Sequence, residues 1–231
     1  MKHVARYAAW VAVAAAAAFL ALQLSYLARI WWWRDHDPGM TRFMQEHMAE
    51  LQQRDPKAKL QQAWVRYDRI SPSLKRAVVV AEDSRFVDHE GFDWDAIEKA
   101  REKNEKRGRV VAGGSTISQQ LAKNLFLSGE RTPWRKGQEA LITVMIEHVM
   151  DKRRILEIYL NVIEWGDGVF GAEAAARHYY GTGAATLGPE ASARLASMIP
   201  NPRFYDHHRN TRWLDRKTQM ILARMPQAEL P

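Results

Sequence analysis

The stretch Gly113-Gly114-Ser115-Thr116-Ile117-Ser118-Gln119-Gln120-Leu121-Ala122-Lys123-Asn124 carries the strongest structural signal in this chain. Thr116 and Gln119 have the T-x-x-Q spacing of a capping box, which predicts that a helix begins here, after two glycines that open a turn. Apolar residues recur every four positions from Ile117 and define its buried side. A glycine-preceded helix N-terminus with a lysine one to two turns in can bind phosphate oxygens. The Gly-Lys-Ser/Thr ending of a nucleotide-binding P-loop is absent.

A second block lies upstream, where a helix predicted to start at Pro72 ends at Glu82 and Asp83. The negative end of the helix dipole disfavours another negative charge there, and so does an adjacent carboxylate. Both effects predict a raised pKa for Glu82, which suits a general base at neutral pH. A solvated acidic helix end is the alternative interpretation. Phe86 and His89 complete the pattern Glu-Asp-x-x-Phe-x-x-His-x-Gly, which no simple surface requires.

A third block follows the glycine-rich stretch. Arg135 and Lys136 occupy the first turn of a helix capped by Thr132, where cations oppose the dipole at a cost of about 0.3–1 kcal/mol each if exposed. Two cations in the unfavourable first turn of one helix indicate a functional reason for their position. Together with Arg131, they predict a binding site for an anion. Glu139 is in register with the apolar stripe of the same helix, so we expect it to be buried. The alternative is a surface ion pair between Arg135 and Glu139.

Composition limits the remaining possibilities. The 231 residues carry a formal net charge of +7, which favours anionic partners such as nucleic acid, a phospholipid surface or a phosphorylated substrate. Without cysteine there can be neither disulfides nor thiolate metal sites. The eight histidines lack metal-ligand spacing with acidic partners, and no G-x-S-x-G sequence supports a Ser-His-Asp site. We therefore predict no metal ligands in the protein.

The N-terminus predicts a membrane anchor. Residues 7–27 are uncharged over 21 positions, which as a helix span roughly 30 Å, the thickness of the hydrocarbon core of a bilayer. Trp31-Trp32-Trp33 follows, where an interfacial aromatic belt is expected. A cleaved signal peptide and a buried alanine-rich helix are the alternatives. Two cations precede the apolar segment (Lys2 and Arg6) and two follow it (Arg29 and Arg34). The positive-inside rule therefore barely decides which way the segment crosses the membrane.

Three segments are predicted: a membrane anchor with a short cytoplasmic N-terminus at 1–33, a juxtamembrane connector at 34–63, and a catalytic domain at 64–231. Periodicity predicts a mainly α-helical domain, with 77–80 the only stretch that resembles a strand. The predicted helices cover Met40–Gln53, Pro72–Asp83, Trp94–Arg107, Thr116–Leu127, Pro133–Met150, Arg153–Val162, Gly171–Tyr180, Pro189–Met198 and Arg212–Met225.

Four blocks in this order (the three above and the basic helix start at 152–161) resemble the peptidoglycan glycosyltransferases, glycosyltransferase family 51. The resemblance covers about residues 64–225, and no Ser-x-x-Lys block suggests an added penicillin-binding domain. It implies a lysozyme-like helical glycosyltransferase domain with one N-terminal transmembrane helix. The implied reaction polymerises lipid II into β-1,4 glycan strands and releases undecaprenyl diphosphate. The implied location is the bacterial inner (cytoplasmic) membrane, with the domain on the periplasmic side.

By this resemblance Glu82 is the base that deprotonates the acceptor 4-hydroxyl, and Glu139 is the second essential glutamate, near the donor diphosphate. No cofactor is required, although some relatives use a divalent cation (Mg²⁺ or Mn²⁺) beside the diphosphate. The implied partners are lipid II, the growing glycan chain, membrane lipid and other cell-wall synthesis or division proteins, with no nucleic acid. The residues implied in substrate binding are Asp83, Phe86, His89, Ser115, Thr116, Gln119, Gln120, Lys123, Asn124, Arg131, Arg135, Lys136 and Arg216.

Two other functions remain open on the sequence: a membrane-bound lytic glycosidase of the same shape, and a non-catalytic cell-wall scaffold. Glycoside hydrolysis needs a carboxylic acid to protonate a poor leaving group. A diphosphate instead leaves readily when fixed cations meet its charge. The excess of arginine and lysine around Glu139 therefore favours the transferase. Exposed aromatic residues, namely Phe92, Trp94 and Phe126, are predicted to reach the lipid interface.

Overall fold

The computed structural model describes residues 2–130 and 132–231, without the side chain of Lys2. The fold is mainly α, as predicted, with one small sheet. The helices are α1 (Lys2–Trp33), α2 (Arg42–Arg54), α3 (Pro72–Glu82), α4 (Trp94–Arg107), α5 (Ile117–Phe126), α6 (Pro133–Val149), α7 (Lys152–Val162), α8 (Ala172–Tyr180), α9 (Pro189–Met198), α10 (Pro202–His207) and α11 (Arg212–Arg224). The strands are β1 (Gln61–Gln62), β2 (Glu164–Gly166) and β3 (Val169–Phe170).

Helix α5 is the centre of the domain and packs against α2, α6 and α7. Its predicted capping box is present: the Gln119 amide donates to Thr116 Oγ1 (3.2 Å), and the Thr116 amide donates to Gln119 Oε1 (3.1 Å). Ile117 and Leu121 are fully buried. A second group of helices, α3, α9 and α11, packs together beside it. The ends of α3 and α5 therefore meet at the boundary between the two groups.

The sheet is the part of the fold that the sequence missed. Its order is β1-β3-β2, with β1 parallel and β2 antiparallel to β3, and Gln61 pairs with Val169. The prediction that residues 77–80 are the only strand-like stretch is therefore wrong, because residues 61–62, 164–166 and 169–170 form strands. Strands of two or three residues are too short to show alternation. The strand-like stretch 77–80 is helical, as part of α3.

Helix α2 packs into the domain through buried Met44 and His47. The Gly168 amide donates to His47 Nε2 (3.0 Å), and that nitrogen lies 3.3 Å from both Glu164 Oε1 and Asp167 Oδ1. Burial raises the pKa of Glu164 to about 7. The connector thus contributes to the core, while its boundaries at 34 and 63 stay predictions.

Among the described residues, α1 is the one helix long and apolar enough to cross a membrane, judged by length and composition. Its C-terminal half lies against the domain, where Ile30 is fully buried. Phe126 is buried too, with its ring centroid 4.9 Å from Tyr26 and 5.3 Å from Trp33. The expectation that Phe126 is an exposed lipid-facing residue is therefore wrong. Trp94 is exposed and stacks on Phe92.

Gly171 lies between β3 and α8, close to the backbone of α7. A substitution at this position can test how closely the sheet packs against α7. Its φ is +83°, and a Cβ would lie 2.7 Å from the Asn161 carbonyl oxygen. We expect Gly171→Ala to destabilise the fold by roughly 2–4 kcal/mol, since strain and a backbone clash add. Thermal unfolding of the detergent-solubilised chain by circular dichroism measures this.

The matched control is Gly181→Ala. Its φ is +65°, and no atom lies within 4 Å of the position that the added methyl group would take. Only the strain of the left-handed conformation therefore remains, about 1 kcal/mol. Equal shifts of the melting temperature for the two variants would contradict the close approach of Gly171 to Asn161.

Candidate active site

Glu82 is the last residue of α3 and is partly buried at the junction with α5. Its Oε2 accepts a hydrogen bond from Gln120 Nε2 (2.9 Å), and Gln120 Oε1 accepts one from the Tyr159 hydroxyl (2.9 Å). Burial raises the pKa of Glu82, with a smaller contribution from Asp83, while the Gln120 hydrogen bond and the charges of Lys217 and Lys123 oppose it. The predicted direction is confirmed, but the main cause is loss of water.

Asp83 holds this junction together. Its Oδ2 accepts the Ile117 amide at the start of α5 (3.0 Å). His89 Nδ1 accepts the Gly91 amide (3.1 Å), so its Nε2 carries the proton and donates to Asp83 Oδ1 (2.9 Å). Thr116 Oγ1 donates to the Gly91 carbonyl (2.7 Å). The acidic block therefore positions α5 through Asp83, His89 and Thr116, and leaves Glu82 as its groove-facing acid.

Phe86 is a correction to the predicted substrate-binding set. Its side chain is fully buried, and the Lys152 ammonium lies 4.6 Å from its ring centroid. A side chain without exposed surface cannot contact a sugar, so Phe86 supports the acidic block from below.

The third sequence block, with Arg135, Lys136 and Glu139, lines a cationic cavity of about 540 Å³. Glu139 is 3% exposed, and its carboxylate accepts from Arg135 Nη1 (2.5 Å) and from the Lys136 ammonium. The i,i+4 pair exists, but the alternative that placed it on the surface is wrong, because Glu139 lies on the buried stripe. Arg135 Nε is buried and has no hydrogen-bond partner among the described residues. A bound anion would satisfy that donor.

The two glutamates face one groove. Glu82 lines a cavity of about 180 Å³ together with Gly113 and Ser115, and those two loop residues also line the cationic cavity. Gln120, bonded to Glu82, lines the cationic cavity as well. A side extension of about 190 Å³ adds Asn124. The predicted residues lining these three cavities are Glu82, Asp83, Ser115, Thr116, Gln119, Gln120, Lys123, Asn124, Arg135, Lys136 and Glu139.

Two predicted cations stand apart from this set. Arg131 lies outside the described residues. Arg216 is exposed and donates through Nε to the Arg212 carbonyl (3.3 Å), so the structure places it away from these cavities. This is a second correction, with a geometrical reason: adjacent residues of a helix point about 100° apart.

Lys217, the next residue along α11, is instead the cation of this helix whose charge acts on Glu82. It is partly buried, and its pKa is lowered by burial, while the charge of Glu82 acts in the opposite direction. The sequence held a signal for it, because Lys217 lies at i+3 from Leu214 and four residues before Ile221, on the buried stripe of α11. The resemblance compares residue types and therefore pointed to Arg216, the neighbour of Lys217.

The structure also tests where a metal ion could bind. His47 is far along the chain from Glu164 and Asp167, yet the ligand atoms of the three side chains lie within 4.8 Å of one another. Arg203 Nε donates to Glu164 (2.8 Å) and the Gly168 amide occupies His47 Nε2, so this cluster is better suited to clamp α2 than to bind a cation.

The cationic cavity offers few side-chain ligands for a divalent ion beside the diphosphate. Glu139 already accepts from Arg135 and Lys136, which leaves the exposed Glu130 as the other acidic side chain of its lining. Metal ions need several oxygen ligands that are free to coordinate. Two carboxylates, one of them already paired, therefore make a poor metal site by themselves.

Comparison with known proteins identifies the family of the chain. A family model described as Transglycosylase matches residues 46–226. Curated proteins named biosynthetic peptidoglycan transglycosylase match nearly the whole chain. The one from Chromobacterium violaceum is 64% identical over 221 residues, which covers 96% of this chain and 97% of the relative. The one from Janthinobacterium sp. is 58% identical over 231 residues, all of both chains. The one from Methylobacillus flagellatus is 62% identical over 218 residues, 92% and 95%.

These matches cover far more than half of the chain, and the range that the family model matches contains positions 82 and 139. The chain belongs to the transglycosylase family, the peptidoglycan glycosyltransferases with a lysozyme-like helical domain.

Proposed function

We propose that Glu82 is the general base of glycan polymerisation and that the cationic cavity receives the diphosphate of lipid II. The observation that carries this proposal is the shared groove: a carboxylate with a raised pKa is joined through Gln120 to a cavity lined by Arg135 and Lys136. Peptidoglycan glycosyltransferases need both parts, a base for the acceptor and a positive environment for the leaving group.

The reaction can be written with these groups. Glu82 takes the proton of the acceptor 4-hydroxyl as its oxygen forms a bond to C1 of the donor sugar. The bond from C1 to the diphosphate oxygen breaks with its electron pair, and Lys123, Arg135 and Lys136 stabilise the departing anion. Attack opposite the leaving group inverts an α-linked donor into a β-1,4 linkage. No external acid is required, because the diphosphate leaves as an anion.

A lytic glycosidase, the alternative from the sequence, would use Glu82 as an acid. Its groove would not need a buried, unpartnered guanidinium nitrogen beside two further cations. A scaffold would need neither feature. The synthetic activity of the family and the cavity chemistry therefore point in the same direction.

The location follows from substrate chemistry. Lipid II is itself anchored in the membrane, and α1 would keep the enzyme beside it, which raises the effective concentration of the donor. We place the catalytic domain on the periplasmic side of the inner membrane, with residues 1–6 in the cytoplasm. Partners among other cell-wall synthesis or division proteins stay a prediction from the resemblance.

The first prediction from the proposed mechanism concerns the base. Glu82→Gln should lower the rate of lipid II polymerisation by about 10²–10⁴-fold, because the amide cannot accept the proton. Its melting temperature should be no lower than that of the wild type, since a carboxyl with a raised pKa opposes folding at neutral pH. Gel analysis of labelled glycan strands and thermal unfolding measure the two effects.

Glu98→Gln, an exposed carboxylate on α4, is the matched control and should polymerise normally. Undiminished glycan synthesis by Glu82→Gln would remove Glu82 from the mechanism. Release of sugar from finished peptidoglycan without turnover of lipid II would instead favour the lytic alternative.

The second prediction concerns pH. The charge of Lys217 lowers the pKa of Glu82, so its removal in Lys217→Met should raise that pKa. A base acts in its deprotonated form, so the acidic limb of kcat/KM should move to higher pH, with the high-pH plateau retained. The pH profile of initial rates measures the shift.

Lys217→Arg keeps the charge and should leave the acidic limb in place. A uniform loss at every pH, without movement of the limb, would mean that Lys217 binds substrate and does not tune Glu82.

The third prediction concerns the anion site. Arg135→Ala should weaken the binding of a non-hydrolysable diphosphate-bearing analogue roughly 10–100-fold, because a hydrogen-bonded cation is lost from a partly buried site. Arg101→Ala, an exposed cation on α4, is the control. Equal affinities of the two variants, measured by calorimetry in detergent, would contradict the assignment of the cavity.

A further inference from the structure

The apolar segment of α1 contains one side-chain amide, and that amide forms a hydrogen bond to helix α6 of the catalytic domain. Gln23 is 8% exposed, and its Nε2 donates to Gln138 Oε1 (2.9 Å). One helical turn earlier, the ring centroid of Phe19 lies 6.0 Å from that of Trp134. In both pairs the two partners are separated by the same number of residues, so α1 and α6 run parallel and side by side here.

The pairing of residues between α1 and α6 shows which part of α1 is level with the cationic cavity. Arg135 and Lys136 lie level with residues 20 and 21 of α1, and Glu139 lies level with Leu24. Trp33 is about 14 Å further along the helix axis, at 1.5 Å per residue. The cavity is therefore well below the three tryptophans, on the side of the membrane-spanning segment.

An interfacial belt at residues 31–33 is hard to reconcile with that height. It would place Arg135, Lys136 and Glu139, together with the substrate diphosphate, roughly 10 Å or more below the interface, where charged groups are costly. Gln23 Oε1 is buried without a hydrogen-bond partner among the described residues, which is also unfavourable within hydrocarbon.

The last turns of α1 instead behave as part of the catalytic domain. Phe19, Gln23, Tyr26, Ile30 and Trp33 recur every three or four residues, and each of them is at least partly buried. Arg154 Nε of α7 donates to the Trp33 carbonyl (3.0 Å). This stripe starts at Phe19, while the side chains before it face outward. The helix thus changes its surroundings near residue 20.

We propose that the outer boundary of the hydrocarbon crosses α1 between Leu20 and Gln23, and that the Gln23–Gln138 pair sets the depth of the cationic cavity at the lipid phosphate plane. The uncharged residues 7–20 then span roughly 21 Å of the hydrocarbon core, a length that a bilayer accommodates by local thinning and by snorkelling of Arg6 at the inner boundary. Trp134, 68% exposed and level with Phe19, enters the lipid from the catalytic domain. Residues 24–33 stand among and above the headgroups. The role of the pair in turnover rests on the proposed function; the position of the membrane does not.

The membrane position can be measured without any activity. The chain has no cysteine, so single replacements at exposed positions of α1, namely Val13→Cys, Leu24→Cys and Trp31→Cys, can each carry one fluorophore. In phosphatidylglycerol–phosphatidylethanolamine vesicles, nitroxide lipids labelled at the headgroup or in mid-chain quench the fluorophore according to its depth. We expect headgroup quenching to be strongest at 24 and mid-chain quenching to be strongest at 13. At 31, both should be weak.

Strongest headgroup quenching at 31, together with mid-chain quenching at 24, would overturn the proposal and restore the tryptophan belt. Val13→Cys and Asn210→Cys, the latter exposed on the domain, mark the two extremes. A protein that fails to polymerise lipid II would still give this depth profile, so the two proposals fail separately.

The pair itself is tested by Gln23→Leu, which keeps the anchor apolar and removes the hydrogen bond. Gln23 is a positioning residue, so we expect KM for full-length lipid II in vesicles to rise roughly three- to tenfold, in line with hydrogen bonds between membrane helices. Turnover of a short-chain, water-soluble lipid II analogue in detergent should not change, because no membrane fixes its height. Leu20→Ala, an exposed side chain on the same helix, is the control. An equal loss on both substrates, or no loss on either, would overturn the role of Gln23.

Discussion

The hydrogen bond from the Ile117 amide to the Asp83 carboxylate joins the two helices on which the groove depends. It satisfies an amide at the positive end of α5 with a negative charge from the end of α3, so local chemistry favours both partners. The same carboxylate orients His89. With α3 and α5 fixed in this way, Glu82 meets Gln120, and Gln120 meets Tyr159. Asp83, Gln120 and Tyr159 thus position the proposed base, Glu82.

The position of Glu82 has a cost in stability. Burial raises its pKa above the value of 4.5 expected without it, so the folded chain holds this proton more tightly than the unfolded chain does. Stability therefore falls as pH rises above the unfolded value and through the folded one. The Gln120 amide and the charges of Lys217 and Lys123 limit that penalty. These groups oppose the effect of burial without cancelling it, so the net shift of the Glu82 pKa remains upward.

Sequence reasoning succeeded where the signal is local. The capping box of Thr116 and Gln119, the limits of α4 and α9, and the burial of Glu139 all follow from residues within one or two helical turns. It failed where partners are distant along the chain. The sheet pairs Gln61 with Val169, and Lys217 on α11 acts on Glu82 at the end of α3. The strand pairing could not be read from local periodicity. The buried stripe of α11 distinguishes Lys217 from Arg216, but it does not show that Glu82 is the group near Lys217.

The paired cations show why the cavity needs its own buried glutamate. Arg135 and Lys136 sit at the positive end of α6, where three like charges, counting the dipole, would repel each other in a partly buried place. Glu139 accepts from both side chains and fixes them before any substrate arrives, so they need no reorganisation when charge develops on a leaving group. Replacing Glu139 would therefore release the cations as well as remove a carboxylate. Its expected role as a second essential acid and its place on an apolar stripe have the same physical origin: a charge can be buried there only because two opposite charges accompany it.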